Sequence, residues 1–175
     1  MLVQVCVKSL GLDRSSNTPV VILQENEGER VLPIWIGPGE ATAIAMELAE
    51  MKFSRPLTHD LLASVLGGLG GALQKVVISR VEENTYFAEM IICRNGEVIS
   101  VDARPSDSIA VALRLEAKIF AQDELFERTT IEIFQDHPNS GSNIPSEGEE
   151  TVIAAEELKE YLRKLAPEDF GRFTP

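Results

Sequence analysis

Apolar and polar positions alternate from the start of the chain: Val3, Val5 and Val7 are interleaved with more polar partners, the period-two pattern of a half-buried strand. A polar turn region over 13–18 leads to a second strand, Pro19-Val20-Val21-Ile22-Leu23. Asn26-Glu27-Gly28 supplies turn chemistry before a third, from Arg30 to Ile36. Pro33 has no N–H to give to a ladder, so that strand is expected at an edge or with a bulge. After Gly37-Pro38-Gly39 the spacing changes. Ala41, Ile44, Ala45, Leu48 and Met51 recur at helical intervals, which predicts a helix from about Glu40 to Met51. Arg55-Pro56-Leu57 breaks it, because a residue before proline is pushed out of helical geometry. Thr58 is the expected N-cap of a second helix carrying Leu61, Leu62, Val65, Leu66 and Leu69. The run Gly67-Gly68-Leu69-Gly70-Gly71 stops it and lacks the lysine continuation of a phosphate loop.

The next block reads as a meander: Lys75 to Val81, then Thr85 to Cys93, then Glu97 to Asp102 after the hairpin dipeptide Asn95-Gly96. A third helix follows Arg104-Pro105, with Ser106 as its expected N-cap and Asp107 in its first turn. Ile109, Ala110, Leu113 and Ala117 form its expected buried stripe. Lys118 to Ala121 suits a last short strand, and Asp123 to Glu127 a helical turn. Strands and helices come in groups rather than in strict alternation. This favours an α+β fold: a mixed or antiparallel sheet with meander segments, packed against about three helices.

Beyond Thr129 the composition shifts. The stretch 136–150 is rich in Asn, Ser, Gly, Pro and Glu, as linkers are, and Glu156 to Leu165 places Leu158, Tyr161, Leu162 and Leu165 on one helical face. The expected organisation is an α+β domain over 1–130, followed over 131–175 by an acidic flexible linker and a short C-terminal amphipathic helix. A chain of 175 residues suffices for one domain with a substantial core plus such a tail. No apolar run approaches the roughly 20 residues that cross a bilayer. The N-terminus shows no basic region followed by an apolar block. The reading is a cytoplasmic protein without a membrane partner.

Two cysteines, Cys6 and Cys93, lie in apolar strand-like stretches with no CxxC or Cys/His cluster nearby, and buried free thiols are expected. Charge bears on function more directly. The formal net charge is −12; the stretch from Asp136 to Pro175 holds nine acids and four bases, a net −5, which leaves −7 on the rest. Proteins that hold nucleic acid through its phosphates normally present a basic face. Any such site here must be a local basic patch, or a cation must supply the positive charge. Trp35, Tyr86 and Tyr161 beside seven phenylalanines give poor support to a stacking platform for single strands.

Chemistry concentrates at two predicted helix N-termini. In Arg55-Pro56-Leu57-Thr58-His59-Asp60, free N–H groups and the positive dipole end suit a phosphate, with Arg55 and Thr58 as further contacts. His59 is a candidate general acid or base, and Asp60 a candidate to orient it or bind metal. The plain alternative is capping by Thr58, dipole pairing by Asp60 and a local partner for His59. In Asp102-Ala103-Arg104-Pro105-Ser106-Asp107, the two aspartates suit a shared divalent cation such as Mg²⁺ or Mn²⁺, while Arg104 and Ser106 suit a phosphate. Here too a cap, a dipole charge and an Arg104–Asp102 bridge account for every residue. Glu40 and Glu47 are either extra ligands or solvated helix charges. No GxSxG, HExxH, zinc spacing or dinucleotide fingerprint competes with these clusters.

The segments Arg55-Pro56-Leu57-Thr58-His59-Asp60-Leu61-Leu62 and Asp102-Ala103-Arg104-Pro105-Ser106-Asp107-Ser108-Ile109-Ala110 resemble the two signature stretches of the bifunctional nuclease domain family. Leu32-Pro33-Ile34-Trp35-Ile36-Gly37, followed by Glu40 and Ala41, is similar to a third, and Pro167-Glu168-Asp169-Phe170 is similar to the tail of many members. The likeness spans roughly 1–130, with three motifs in the family's order. It implies an α+β domain assembled as a homodimer or larger homo-oligomer, and DNase and RNase activity with nucleic acid as a transient substrate. The extra helical-hairpin module carried by some members is not expected here.

Overall fold

Local turn chemistry builds two antiparallel meanders, and a late strand joins them. In the computed structural model, which describes residues 1–13 and 16–127, β1 (Leu2–Asp13), β2 (Thr18–Glu25) and β3 (Val31–Trp35) form the first meander. β4 (Gly71–Glu82), β5 (Thr85–Arg94) and β6 (Glu97–Ala103) form the second. Asn95 and Gly96 both take positive φ, 53° and 84°, as a two-residue type I′ hairpin requires. Between the meanders lies β7 (Lys118–Gln122), antiparallel to β1 and parallel to β4. The sheet order is β3-β2-β1-β7-β4-β5-β6. Pro33 is therefore on an edge strand, where its missing N–H costs no ladder bond.

Alternation along the strands sends one set of side chains into the core. Val5, Val21, Leu23, Leu32, Ile34, Val76, Ile78, Ala88, Met90, Ile119 and Ala121 pack there with Ile44 and Ala45 of α1 (Pro38–Leu48) and with α3 (Pro105–Arg114). α3 packs against the sheet and against both α1 and α2 (Thr58–Gly68). Its Ile109, Ala110, Val111 and Ala112 are all fully buried. The expected stripe is thus corrected: a helix enclosed on several sides buries consecutive residues, while Leu113 and Ala117 are only partly covered. α4 (Glu124–Glu127) adds Leu125 and Phe126 to the core. The mixed α+β sheet with three principal helices agrees with the sequence reading. The segment 131–175, with its predicted linker and tail helix, lies outside the described residues.

Helix starts differ from expectation by one or two residues. Gly37, Leu57 and Arg104 occupy the N-cap positions, rather than Thr58 for α2 and Ser106 for α3. Pro38 and Pro105 explain the first and last, since proline is preset for the first helical position. At α2 the cap comes from inside the helix: Asp60 Oδ2 accepts the Leu57 N–H at 2.8 Å. Both cysteines are free, but Cys6 is exposed and Cys93 half-buried, which corrects the expectation of buried thiols. The phase of β1 decides Cys6: its neighbour Val5 points into the core, so Cys6 points out. Among the described residues no helix is long and apolar enough to cross a membrane.

Candidate functional site

Three helix N-termini contribute to one polar cluster. α1 carries Glu40 in its first turn, α2 carries His59 and Asp60, and α3 carries Asp107 with Arg104 at its N-cap. Arg104 Nε donates to Asp107 Oδ2 at 2.7 Å, and Arg104 Nη2 meets Glu40 Oε1 at 2.8 Å. The other Asp107 oxygen, Oδ1, lies 3.2 Å from His59 Nε2. A continuous polar chain, Glu40–Arg104–Asp107–His59, therefore links all three helices. Burial alone would raise the Asp107 carboxyl, but hydrogen bonds from Arg104 and His59 outweigh it and hold the group below the ordinary carboxylate range. The hydrogen bond to Asp107, followed by its charge, raises the Arg104 guanidinium in turn.

A second chain braces the first from beneath. The Arg114 side chain is only 6% exposed. Its Nε donates to Asp60 Oδ1, its Nη1 to the Ala110 carbonyl at 2.8 Å, and its Nη2 to the Ala43 carbonyl at 3.2 Å. Glu47 stands 3.8 Å away. Asp60 is thus shared between Arg114 and the Leu57 cap. Burial raises its carboxyl, and these hydrogen bonds overcome that and lower it. Sequence reasoning did not single out Arg114. A basic residue in a helix's last turn is ordinary dipole pairing, and only the packing of α1 and α2 around it reveals a buried brace.

The convergence suggested by the two motifs therefore exists for His59, Arg104 and Asp107, with Glu40 added and Asp60 one step behind. Arg55 and Thr58 stand exposed at the start of α2, and their side chains make no hydrogen bond or ion pair with the described residues. Ser106 is buried in the first turn of α3. Asp102 is not brought in. Ala103 pairs with buried Ala88 on the helix-bearing face, so Asp102, one residue earlier, pairs with Glu89 on the opposite face. Both Asp107 oxygens already carry a donor from Arg104 or His59. Among the described residues no three His, Cys, Asp or Glu side chains gather as a metal site. This donor set does not fit the divalent cation that Asp102 and Asp107 were expected to share.

The bifunctional nuclease domain model matches residues 21–134, a span that includes all three helix N-termini and the whole cluster. The chain belongs to the bifunctional nuclease domain family. It is similar to an uncharacterized protein of Mycobacterium tuberculosis, 38% identical over 173 residues that cover 95% of this chain and 97% of that protein. It is also similar to the bifunctional nuclease of Oryza minuta, 21% identical over 90% of this chain and 45% of the plant protein. Bifunctional nuclease 2 of Oryza sativa subsp. japonica is 25% identical over 62% of this chain and 34% of its own length. The chain thus spans under half of each of these plant nucleases.

Proposed function

We propose that this family member is a nuclease that hydrolyses DNA and RNA phosphodiester bonds at the cluster where α1, α2 and α3 begin. The observation that carries this reading is the His59–Asp107 contact between two helices, with Arg104 on the second Asp107 oxygen. A carboxylate on Nε2 selects the imidazole tautomer protonated there and leaves Nδ1 to move a proton. Water oxygen bonds to phosphorus, its proton passes to His59, and the departing sugar oxygen leaves with the P–O pair and is protonated by solvent. Arg104, whose side chain is two-thirds exposed, holds the phosphate together with Arg55 and the N–H groups near Thr58 and Ser106. Family membership and the plant relatives' names support the reaction class.

One observation favours a second reading, a non-catalytic binding or regulatory module or a sensor of small phosphates or carboxylates. Every acid in contact with the cluster is already paired with an arginine or histidine of the same chain, the arrangement of a structural brace.

The two readings part in a cleavage assay on plasmid DNA and structured RNA. Wild type, His59→Ala and Asp107→Asn would be purified identically, and parallel Mg²⁺, Mn²⁺ and EDTA arms would measure any contribution of a cation. Cleavage lost in both variants supports the nuclease and its site. Equal residual cleavage in all three samples indicates a contaminant. No cleavage, combined with a rise in Tm on adding nucleotides, supports the sensor.

A further inference from the structure

The outer side of α2 is apolar, and nothing among the described residues covers it. Its inner side is accounted for. His59 meets Asp107 and Asp60 meets Arg114, while Leu66 turns to the sheet: a Cβ at Gly71 would come within 2.6 Å of Leu66 Cδ1 and 3.3 Å of Ile92 Cγ2. At 3.6 residues per turn, Leu61, Leu62, Val65 and Leu69 share a sector about 100° wide on the other side. All four are exposed, by 54%, 45%, 47% and 61%. One apolar stripe fixes a helix to its own domain; a second, facing outward, marks a missing neighbour.

The chain beyond Glu127 starts close to that side. Ala103, Ala88, Ile78 and Ala121 form one row across β6, β5, β4 and β7. β7 therefore ends, and α4 follows, at the end of the sheet where α3 begins, three strand spacings or about 14 Å away. The His59–Asp107 contact holds the start of α2 at the first turn of α3. The 28 residues 128–155 come next in the chain. A flexible chain of that length spans about 30 Å, ample for the distance.

We propose that the C-terminal segment of the same chain covers this stripe, with residues 156–165 packed as a helix along the outer side of α2. Leu158, Tyr161, Leu162 and Leu165 recur at helical intervals. At 1.5 Å per residue they span about 10 Å of helix, and Leu61 to Leu69 span about 12 Å, so the two stripes match in length. The helices run parallel, which brings Glu156, Glu157 and Glu160 to the foot of α2. Arg55 is exposed there, and its side chain makes no ion pair with the described residues. The acids of the segment meet a cation while its leucines meet leucines.

Charge also decides against the other apolar surface, the outer strand β6, where Val98, Ile99 and Val101 are exposed. From Asp136 onward the segment carries nine acids against four bases, and on β6 it would meet Glu97 and Asp102. On α2 a modest contact suffices. Two sites on one flexible chain meet at an effective concentration on the order of 1 mM. A contact with an intrinsic Kd of about 0.1 mM is then about 90% closed. Amides within it exchange about tenfold more slowly than in an open chain.

Hydrogen exchange on the full-length protein tests this. Amides 156–165 should exchange about tenfold more slowly than in a free peptide of the same sequence, at every protein concentration tried. Leu61→Glu combined with Val65→Glu should remove that protection while Ile109 to Ala112 of α3 stay protected. Open-chain exchange at 156–165 in wild type overturns the proposal. So does protection that survives the double substitution, and so does protection lost on dilution, which gives the stripe to a second copy. A second measurement stands even if the double variant misfolds. In a Cys6→Ser, Cys93→Ser background, Val65→Cys with Leu162→Cys should form a disulfide within one 19.2 kDa chain under mild oxidation. It should form much faster than in Val65→Cys with Ile144→Cys, whose second thiol lies in the intervening chain. Equal rates, or a product of twice the mass, overturn the proposal as well.

Discussion

His59 Nε2 lies 3.2 Å from Asp107 Oδ1, although 48 residues separate them in the chain and they sit on different helices. The contact makes Asp107 a positioning residue for the imidazole, a role separable from the architecture. Asn at 107 keeps the shape but offers an N–H as readily as an oxygen, so His59 is no longer held in one tautomer. Asp107→Asn is expected to lower kcat by about 10²–10⁴-fold with a smaller change in KM, the range of a lost acid–base contribution. Tm should move little, because the Arg104 partner is two-thirds exposed and such pairs are worth about 0–1 kcal/mol. Steady-state kinetics and a melting curve on the same sample test both halves.

Arg114 carries the opposite balance, with stability foremost. Its side chain is 6% exposed, and its guanidinium joins α1, α2 and the end of α3 through Ala43, Asp60 and Ala110. Arg114→Met preserves much of the stem packing but leaves Asp60 without its cation. Breaking a buried pair from one side costs about 3–5 kcal/mol; with a third of Asp60 exposed, about 2–3 kcal/mol is expected here. Arg114→Lys should recover part of this, because one ammonium cannot reach all three acceptors. Urea unfolding of the three proteins gives the comparison.

Acid should weaken the same framework. Burial works against ionised Asp60 and Asp107, but hydrogen bonds from Arg114 and Leu57, and from Arg104 and His59, hold both folded carboxyls below the ordinary carboxylate range. A lowered folded pKa gives stability that is fully present above the unfolded value and lost as pH falls through the folded one. Unfolding free energy should therefore be insensitive to these two groups near neutrality and fall below about pH 4. In Asp60→Asn and Asp107→Asn the fall should be shallower. Equal slopes in wild type and both variants would remove these aspartates as its cause.

Much of this fold was legible because it is written in short-range chemistry. Asn95-Gly96 encodes its hairpin, Pro33 its edge strand, and the period of Ile44 and Leu48 its helix. The central place of β7 was not legible, since nothing between Lys118 and Gln122 states which strands it will join. Helix starts slipped where a hydroxyl suggested a cap, at Thr58 and Ser106, although Pro105 already marked the first helical position. Of the site, the meeting of His59 with Arg104 and Asp107 was suggested by two similar helix N-termini. Arg114 stayed hidden because burial of a charge depends on three helices at once.

The sharpest contrast is between two aspartates five residues apart. Asp107 contacts His59 and Arg104, whereas Asp102 faces away from the helices beside Glu89, with Ser100 Oγ donating to that glutamate at 2.7 Å. If the chemistry belongs to the helix-side cluster, Asp102→Thr should leave kcat and KM within error of wild type. It should also stabilise the fold slightly, because it removes a like charge directly opposite Glu89 and places a β-branched residue in a strand; about 0.2–1 kcal/mol is the usual scale of such a pair. Parallel cleavage assays and urea melts of Asp102→Thr and Asp107→Asn separate the two positions. A loss of cleavage in Asp102→Thr equal to that in Asp107→Asn would relocate the site to the open face of the sheet and remove the helix N-termini from the chemistry.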